Sequence, residues 1–497
     1  MPLASAIALH AGERPHAPAF RMEGRVFSYG ELAARSGRVL HAIESSAARA
    51  IERSVLSGRT RLIALETGND PLFAAAFIAA TAGGNCAALI DPHLPQASRE
   101  RMKAQLRPEI VVRADGDLLH LDVPSTGQSL ALDAFDGSSP ISVGDGDEPF
   151  LVVFTSGTTG EPKAIIRDRR SWRVSLATGQ GFFGIGRETT TYAPGPLAHG
   201  LTLYALAECL HAGAEFIGAR HFDPAEALNE ISTFGARRLV LVPTMLRRLC
   251  EQAGDPTYSA VEKITVAGAK LTTADREMAA RAFPGAEVTE YYGASELGFI
   301  TVSQAADKQS PTAVGKAFPG VRLSVLDDEG NALPAGETGT IFVESELIAD
   351  GYISGDDGTG FCRRGTLATV GDLGHLDRDG TLHLLGRAGG MVVSGGNNIY
   401  PSEVELVIMA AAGVDAALVL GLDHPDLGSE LAAIIQPNGT FEEAALARHL
   451  ADALPRYKHP RKIWLCRRMP LTASGKIAAR ELRQWIAKED PALERLV

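Results

Sequence analysis

Phe150-Leu-Val-Val-Phe-Thr155-Ser-Gly-Thr-Thr-Gly-Glu-Pro-Lys163 joins an apolar run of strand length to a loop of hydroxyls, glycines and one lysine. Five apolar residues in succession, without polar alternation, read as a strand buried on both faces. A polar loop leaving the end of such a strand lies where open α/β sheets bind ligands. Gly157 and Gly160 let backbone N–H groups approach an anion, Ser156, Thr158 and Thr159 add hydroxyls, and Lys163 adds a charge. The composition alone also suits a plain polar loop, and GxxxxGK[ST] spacing is absent.

Outward from this stretch, the chain alternates buried-strand runs with helical patterns. Arg61–Leu65, Ala87–Ile90, Arg238–Val242 and Lys263–Val266 read as strands, and Glu31–Ala47 and Pro71–Ala82 as helices. Apolar strands separated by helices imply a parallel sheet covered on both faces. Near Val314 the pattern changes to short strands split by turns such as Asp328-Glu-Gly330 and Asp377-Arg-Asp-Gly380. After Arg387 comes Ala388-Gly389-Gly390, then an α+β pattern to Val497. The expected fold is α/β: a large N-terminal domain (1–387) of layered sheets with a β-rich, distorted-barrel-like part, and a small mobile α+β domain (388–497).

The 497 residues, 45% hydrophobic and 22% charged, describe a globular chain with material for more than one core. The net charge of −12 lies wholly before residue 387, because residues 387–497 hold 13 basic and 13 acidic residues. So acidic a body argues against nucleic acid as a partner. Cys86, Cys209, Cys250, Cys362 and Cys466 are too far apart for a zinc site or disulfide framework, which favours a cytoplasmic protein. Met1–Pro15 lacks a signal peptide's basic n-region. The apolar run Phe73–Leu89 reads as a buried helix, not a membrane span.

Three further motifs carry chemistry. Glu290-Tyr-Tyr-Gly-Ala-Ser-Glu296 sets an aromatic face beside a carboxylate suited to Mg²⁺ and substrate phosphates. Thr369-Val-Gly-Asp-Leu-Gly-His375 isolates Asp372, which could accept bonds from vicinal hydroxyls, with Arg387 fifteen residues later. Pro470-Leu-Thr-Ala-Ser-Gly-Lys-Ile477 presents Lys476, by itself an ordinary loop lysine. Gly179-Gln-Gly-Phe-Phe-Gly184 matches GxGxxG but follows a helical segment, which argues against a dinucleotide site. Asp379-Gly380 makes His375–Asp379 a hairpin, and Arg167, Arg169, Arg170 and Arg173 read as an exposed helix face.

In this order the motifs resemble those of the acyl-adenylating superfamily of acyl-CoA synthetases, peptide-synthetase adenylation domains and luciferases, over nearly the whole chain. Thr155–Lys163 is similar to its phosphate loop, and Tyr292-Gly293-Ala-Ser295-Glu296 to its Tyr-Gly-x-Thr-Glu segment, with serine replacing threonine. Gly386-Arg387 through Ser394-Gly395-Gly396 resembles its hinge and following loop, and Pro470–Ile477 its C-terminal lysine motif. The resemblance implies that Tyr292 stacks on adenine, Asp372 and Arg387 hold ribose, and Glu296 binds Mg²⁺. It assigns the ATP phosphates to Lys163 and the loop from Thr155 to Gly160, and the carboxylate and α-phosphate to Lys476. His199 looks like the gate between acyl pocket and nucleotide, with a capping histidine as the structural alternative. Ser394, Gly395 and Gly396 would line the path of CoA, and Leu201, Ala267, Gly268 and Tyr291 the acyl pocket. Gly389-Gly390 stands where the family's hinge commonly has Asp or Lys, which questions how sharply two orientations are held.

The implied reaction is ATP-dependent: an acyl-adenylate forms, then a thioester with CoA. Peptide-synthetase domains carry an aspartate early in the segment equivalent to Pro194–Leu210, where this chain has only Glu208, toward the far end, so an α-amino acid is disfavoured. Arg448–Arg468 holds seven Arg and Lys against Asp452, which suits CoA phosphates or a solvated face. Ala267 and Tyr291 stand where the family often has glycine, and a short-chain or compact, aromatic acid is expected. A separate carrier protein as acceptor, a non-catalytic nucleotide binder and a homodimer stay open as alternatives.

Overall fold

The computed structural model describes the chain apart from residues 1–2, 49, 51–53, 57–59, 157–161, 255–257, 305–309, 311, 357, 359, 388–389, 395–396, 473–474 and 497, and the side chains of Thr155, Ser156 and Asn398. Helix Tyr29–Ala47 begins at a capping box, Ser28 and Glu31 each accepting the other's backbone N–H. Strands Arg61–Glu66, Asn85–Leu89, Ile110–Asp115 and Pro149–Ser156 pair in parallel at the centre of an eight-stranded sheet. Strand Pro162–Asp168 returns antiparallel, with Thr155 opposite Lys163. The two strands flanking the Gly-rich stretch thus pair with each other, and its Gly157, Thr158, Thr159 and Gly160 lie outside the described residues.

The run 73–89 is not one helix. It forms the wholly buried helix Phe73–Ala80 and the buried strand Asn85–Leu89. Gly83, at φ +52°, and a bond from Asn85 Nδ2 to the Ala79 carbonyl (3.1 Å) turn the chain between them. No described helix is long and apolar enough to cross a membrane.

A second sheet, of 15 strands among the described residues, carries the parallel strands Thr191–Tyr192, Phe216–Ile217, Arg238–Leu241, Lys263–Ala267 and Glu287–Ala294. At the hairpin joining Glu287–Ala294 to Gly298–Ser303 the pairing turns antiparallel and continues through Ala313–Ala317, Leu382–Arg387 and Asp372–Leu376. The β-rich part is thus hydrogen-bonded to the edge of the parallel sheet. Ser295 and Glu296 occupy the turn at that change of direction.

A third sheet, of six strands, lies between Val392 and Arg495. Val404 and Ile408 of helix Pro401–Met409 and Leu446 and Leu450 of helix Glu443–Ala453 share a core with Val419 and Ile435. Each such side chain withdrawn from water contributes about 2 kcal/mol.

The arginine run departs from the expected exposed face. Arg167 and Arg169 are buried, at 5% and 0% exposure. Arg167 donates to the carbonyls of Ser295 (2.6 Å) and Leu347, tying the two large sheets together. Arg169 donates to the carbonyls of Gly83, Asn85 (2.9 Å) and Pro149 (3.0 Å). Both satisfy main-chain oxygens that distant segments leave unpaired, a demand that local sequence does not display.

Candidate active site

Three of the expected site residues meet, two of them on adjoining strands. Asp372 and Arg387 are register partners, and Arg387 Nε donates to Asp372 Oδ1 at 2.8 Å. The Tyr292 hydroxyl donates to Asp372 Oδ2. Burial, then the Asp372 carboxylate, hold the Tyr292 phenol well above its ordinary range, so it stays a donor. Asp372 is 6% exposed, while Arg387 keeps about half its side chain in solvent.

Glu296 stands one turn beyond Tyr292 and is buried. The Tyr352 hydroxyl donates to its Oε1 at 2.7 Å, and Lys163 Nζ lies 5.5 Å from the centre of the Tyr352 ring. Tyr352 therefore bridges the loop lysine and the expected metal carboxylate. Burial and that hydrogen bond raise its phenol pKa. No motif marked Tyr352; strand Gly351–Ser354 brings it in by pairing with Pro162–Asp168, a contact between segments nearly two hundred residues apart. Among the described residues no group of three or more His, Cys, Asp or Glu is arranged to hold a metal. The buried carboxylate of Glu296 instead suits Mg²⁺, which takes one or two protein carboxylates and completes its shell with substrate phosphate oxygens and water.

Lys476 reaches this cluster from the other side. Its Cε lies 3.6 Å from the position a side-chain carbon would take on Gly268, and Thr244 Oγ1 donates to the neighbouring Gly475 carbonyl at 3.1 Å. Burial, then the charge of Arg387, push the Lys476 ammonium below the ordinary lysine range. Two cations are thus drawn toward one space between Arg387 and Gly268. Residues 7–353 match the AMP-binding enzyme family, and residues 403–476 match its C-terminal domain.

The chain belongs to the AMP-binding enzyme family.

YhfT, an uncharacterized acyl–CoA ligase of Bacillus subtilis (strain 168), is 33% identical over 350 residues, 70% of this chain and 71% of that one. VraA, a putative long chain fatty acid–CoA ligase of Staphylococcus epidermidis, is 32% identical over 334 residues, 67% of this chain and 70% of that one. The crystal structure of ATP-bound MatB from Rhodopseudomonas palustris shares the fold, with a TM-score of 0.82 at 24% identity over 98% of this chain and 99% of that one.

Elsewhere in this AMP-binding enzyme, His199 precedes helix Gly200–Ala212 without capping it through its side chain. Its Nε2 lies 3.6 Å from Oδ2 of the buried Asp91, a pairing that sequence reading did not foresee. Asn69 accepts from Leu197 N–H (2.7 Å) and donates to the Gly195 (3.0 Å) and Ala219 (2.7 Å) carbonyls, fixing the loop that carries His199. Ala267 and Tyr291 are register partners on neighbouring strands, and the Tyr291 ring meets Phe299 edge-on at 4.7 Å. Leu201 packs between two core clusters. Ser394 ends strand Val392–Ser394 opposite Asn397 and Gly428, within the small sheet; its neighbours Gly395 and Gly396 lie outside the described residues, as does Gly389.

Proposed function

We propose that this AMP-binding enzyme is an ATP-dependent carboxylic acid–CoA ligase that works through an acyl-adenylate, with its mobile part beginning at residue 388. The observation that carries the reading is the convergence of Lys476 on Arg387 and Gly268, between the expected ribose pair and the expected acyl wall. An acid carboxylate and an α-phosphate are both anions, and an ammonium between them lowers the cost of bringing them together. Asp372, held by Tyr292 and Arg387, offers a carboxylate to ribose hydroxyls. Glu296 would hold Mg²⁺, whose charge offsets the phosphate repulsion when bound. Lys163 and the hydroxyl loop would hold the β- and γ-phosphates.

Adenylation forms the bond from acid oxygen to α-phosphorus and releases pyrophosphate. Thioester formation then forms the carbon–sulfur bond, releases AMP and gives up the thiol proton. Lys476 is needed only in the first step, so its removal on a separate body would open the way for a thiol past Ser394, Gly395 and Gly396. CoA as that thiol is supported by the acyl–CoA ligases among the relatives. Five free cysteines fit a reducing cytoplasm. The acid is expected to be compact, because Ala267 and Tyr291, whose ring packs edge-on against Phe299, stand where the family often has glycine.

Mass spectrometry of products from MgATP, CoA and a pool of carboxylic acids tests the reading. One acyl-CoA with AMP is expected. AMP or acyl-adenylate without thioester would transfer the acceptor role to a carrier protein, and absence of AMP with every acid would end the proposal.

A further inference from the structure

The wall beyond the expected acyl pocket grows more polar with depth. On helix Gly200–Ala212, Leu201, Tyr204 and Glu208 stand three and four residues apart, on one face. Opposite them, Thr265 and Ala267 share a face of strand Lys263–Ala267, and Thr265 is one strand repeat, about 7 Å, deeper than the pocket wall. Arg238 of the next strand donates to Thr265 Oγ1 at 3.3 Å and to Glu208 Oε2 at 2.8 Å. Helix and sheet therefore both run from the acyl wall to one ion pair.

That pair is 2–3% exposed, and it is unfinished. Glu208 Oε1 and Arg238 Nη1 are both buried with no hydrogen-bond partner among the described residues. Leaving a buried charged group short of partners is destabilising, so a ligand that supplies them gains what the folded chain lacks. The Tyr204 hydroxyl, 2.6 Å from Ser175 Oγ, lies beside the pair, and the Tyr204 and Tyr291 rings both pack on Phe299, at 5.2 and 4.7 Å. The Glu208 and Arg238 charges both act on the Tyr291 phenol, which joins them to the pocket wall. Gly179 packs closely on this corner: a side-chain carbon there would lie 3.3 Å from the Tyr204 hydroxyl and 3.4 Å from Glu208 Oε1, so any larger residue would press on both. Glycine is a poorer helix residue than alanine, so this close packing is kept against helix propensity.

Resting on the ligase reading, we propose that the acid substrate carries a neutral hydroxyl at its far end, about one ring length from the carboxylate, which donates to Glu208 Oε1 and accepts from Arg238 Nη1. A second carboxylate would face Glu208, and an amine would face Arg238, so each charged tail meets one like charge. A hydroxyl satisfies both atoms. A site built around a substrate hydroxyl rejects the analogue lacking it far more strongly than an apolar pocket rejects a missing methylene.

The test compares benzoate with 4-hydroxybenzoate, and hexanoate with 6-hydroxyhexanoate, by isothermal titration into the full chain and by AMP and acyl-CoA formation. At least one hydroxylated member is expected to bind, and to react in kcat/KM, at least tenfold better than its parent. Gly179→Ala, a substitution that favours the helix, is expected to abolish that preference while propionate turnover stays within about threefold. Equal or reversed preference in both pairs, no binding by any member, or a preference that survives Gly179→Ala would overturn the inference. Tighter binding of a hydroxylated acid without AMP release would uphold it while ending the ligase reading.

Discussion

A lysine that joins two anions must stay charged without an acidic partner to neutralise it. At Lys476 the surroundings press the other way, since burial and then the Arg387 charge lower its pKa. The protonated form is the one that serves adenylation. Adenylation measured as pyrophosphate exchange should therefore fall as pH rises through a value below that of free lysine, before any ordinary lysine titrates. Lys476→Arg should carry this alkaline limb upward, because a guanidinium stays protonated. Lys476→Ala should suppress exchange by roughly 10²-fold or more while sparing thioester formation from supplied acyl-adenylate. An alkaline limb that stays in place in Lys476→Arg, or equal loss in both half-reactions, would contradict the role. Asp372 permits a parallel check. Asp372→Ala removes the acceptor shared by Tyr292 and Arg387, and should raise the KM for ATP about tenfold with little change in that for the acid, the loss of one charge-assisted contact.

Helix Pro401–Met409 shows how one element binds packing to titration. Val404 and Ile408 anchor it in the small core, and Glu405 between them accepts the Val419 N–H at 2.8 Å. Burial pushes the Glu405 carboxyl from 4.5 up to about 7. Folding is then favoured by the neutral form: the contribution is full below pH 4.5 and is lost as pH rises through about 7. The loss reaches at most about 3 kcal/mol. Glu405→Gln keeps an acceptor for Val419 and never ionises, so its Tm should exceed that of the parent at pH 8 and match it near pH 5. A parallel fall of both proteins between those values would remove Glu405 as the cause. Elements of this kind also mark what the sequence could convey. The strands at 61–66, 149–156, 238–241 and 263–267 were legible because unbroken apolar runs have no other stable use, and Tyr292, Asp372 and Arg387 because each stands in a motif with fixed spacing. Arg167 and Tyr352 were not, since each answers a group in a remote turn, Ser295 or Glu296, through pairing that no local pattern encodes. The run 73–89 divides into the helix and the strand read at 71–82 and 87–90, with Asn85 closing the turn between them on the Ala79 carbonyl.

Across the whole molecule, the proposed reaction needs a small body that docks firmly enough to deliver Lys476 and lets go afterwards. Helix Pro243–Ala253 provides the dock: Thr244 donates to the Gly475 carbonyl at 3.1 Å, and Arg247, held by Asp275 at 2.8 Å, donates to the Asp415 carbonyl. Beside these bonds a groove of about 460 Å³ stays open between the bodies, lined by Phe222, Arg248, Arg468 and Trp485. Contacts of this kind are worth about 1 kcal/mol each, which suits an interface that must separate in every turnover. In the proposed reaction the pivot would be Gly390, where an added side-chain carbon meets nothing within 4 Å among the described residues. Gly390→Ala should therefore fit this orientation and leave the Tm unchanged within a degree or two, since it neither clashes nor opens a cavity. It does narrow the φ and ψ values through which the link can swing. Pyrophosphate exchange should persist in Gly390→Ala, while acyl transfer to CoA from supplied acyl-adenylate should slow several-fold. Unchanged rates in both half-reactions would move the pivot away from residue 390, whereas loss of exchange alone would show that glycine serves the docked orientation and not the swing.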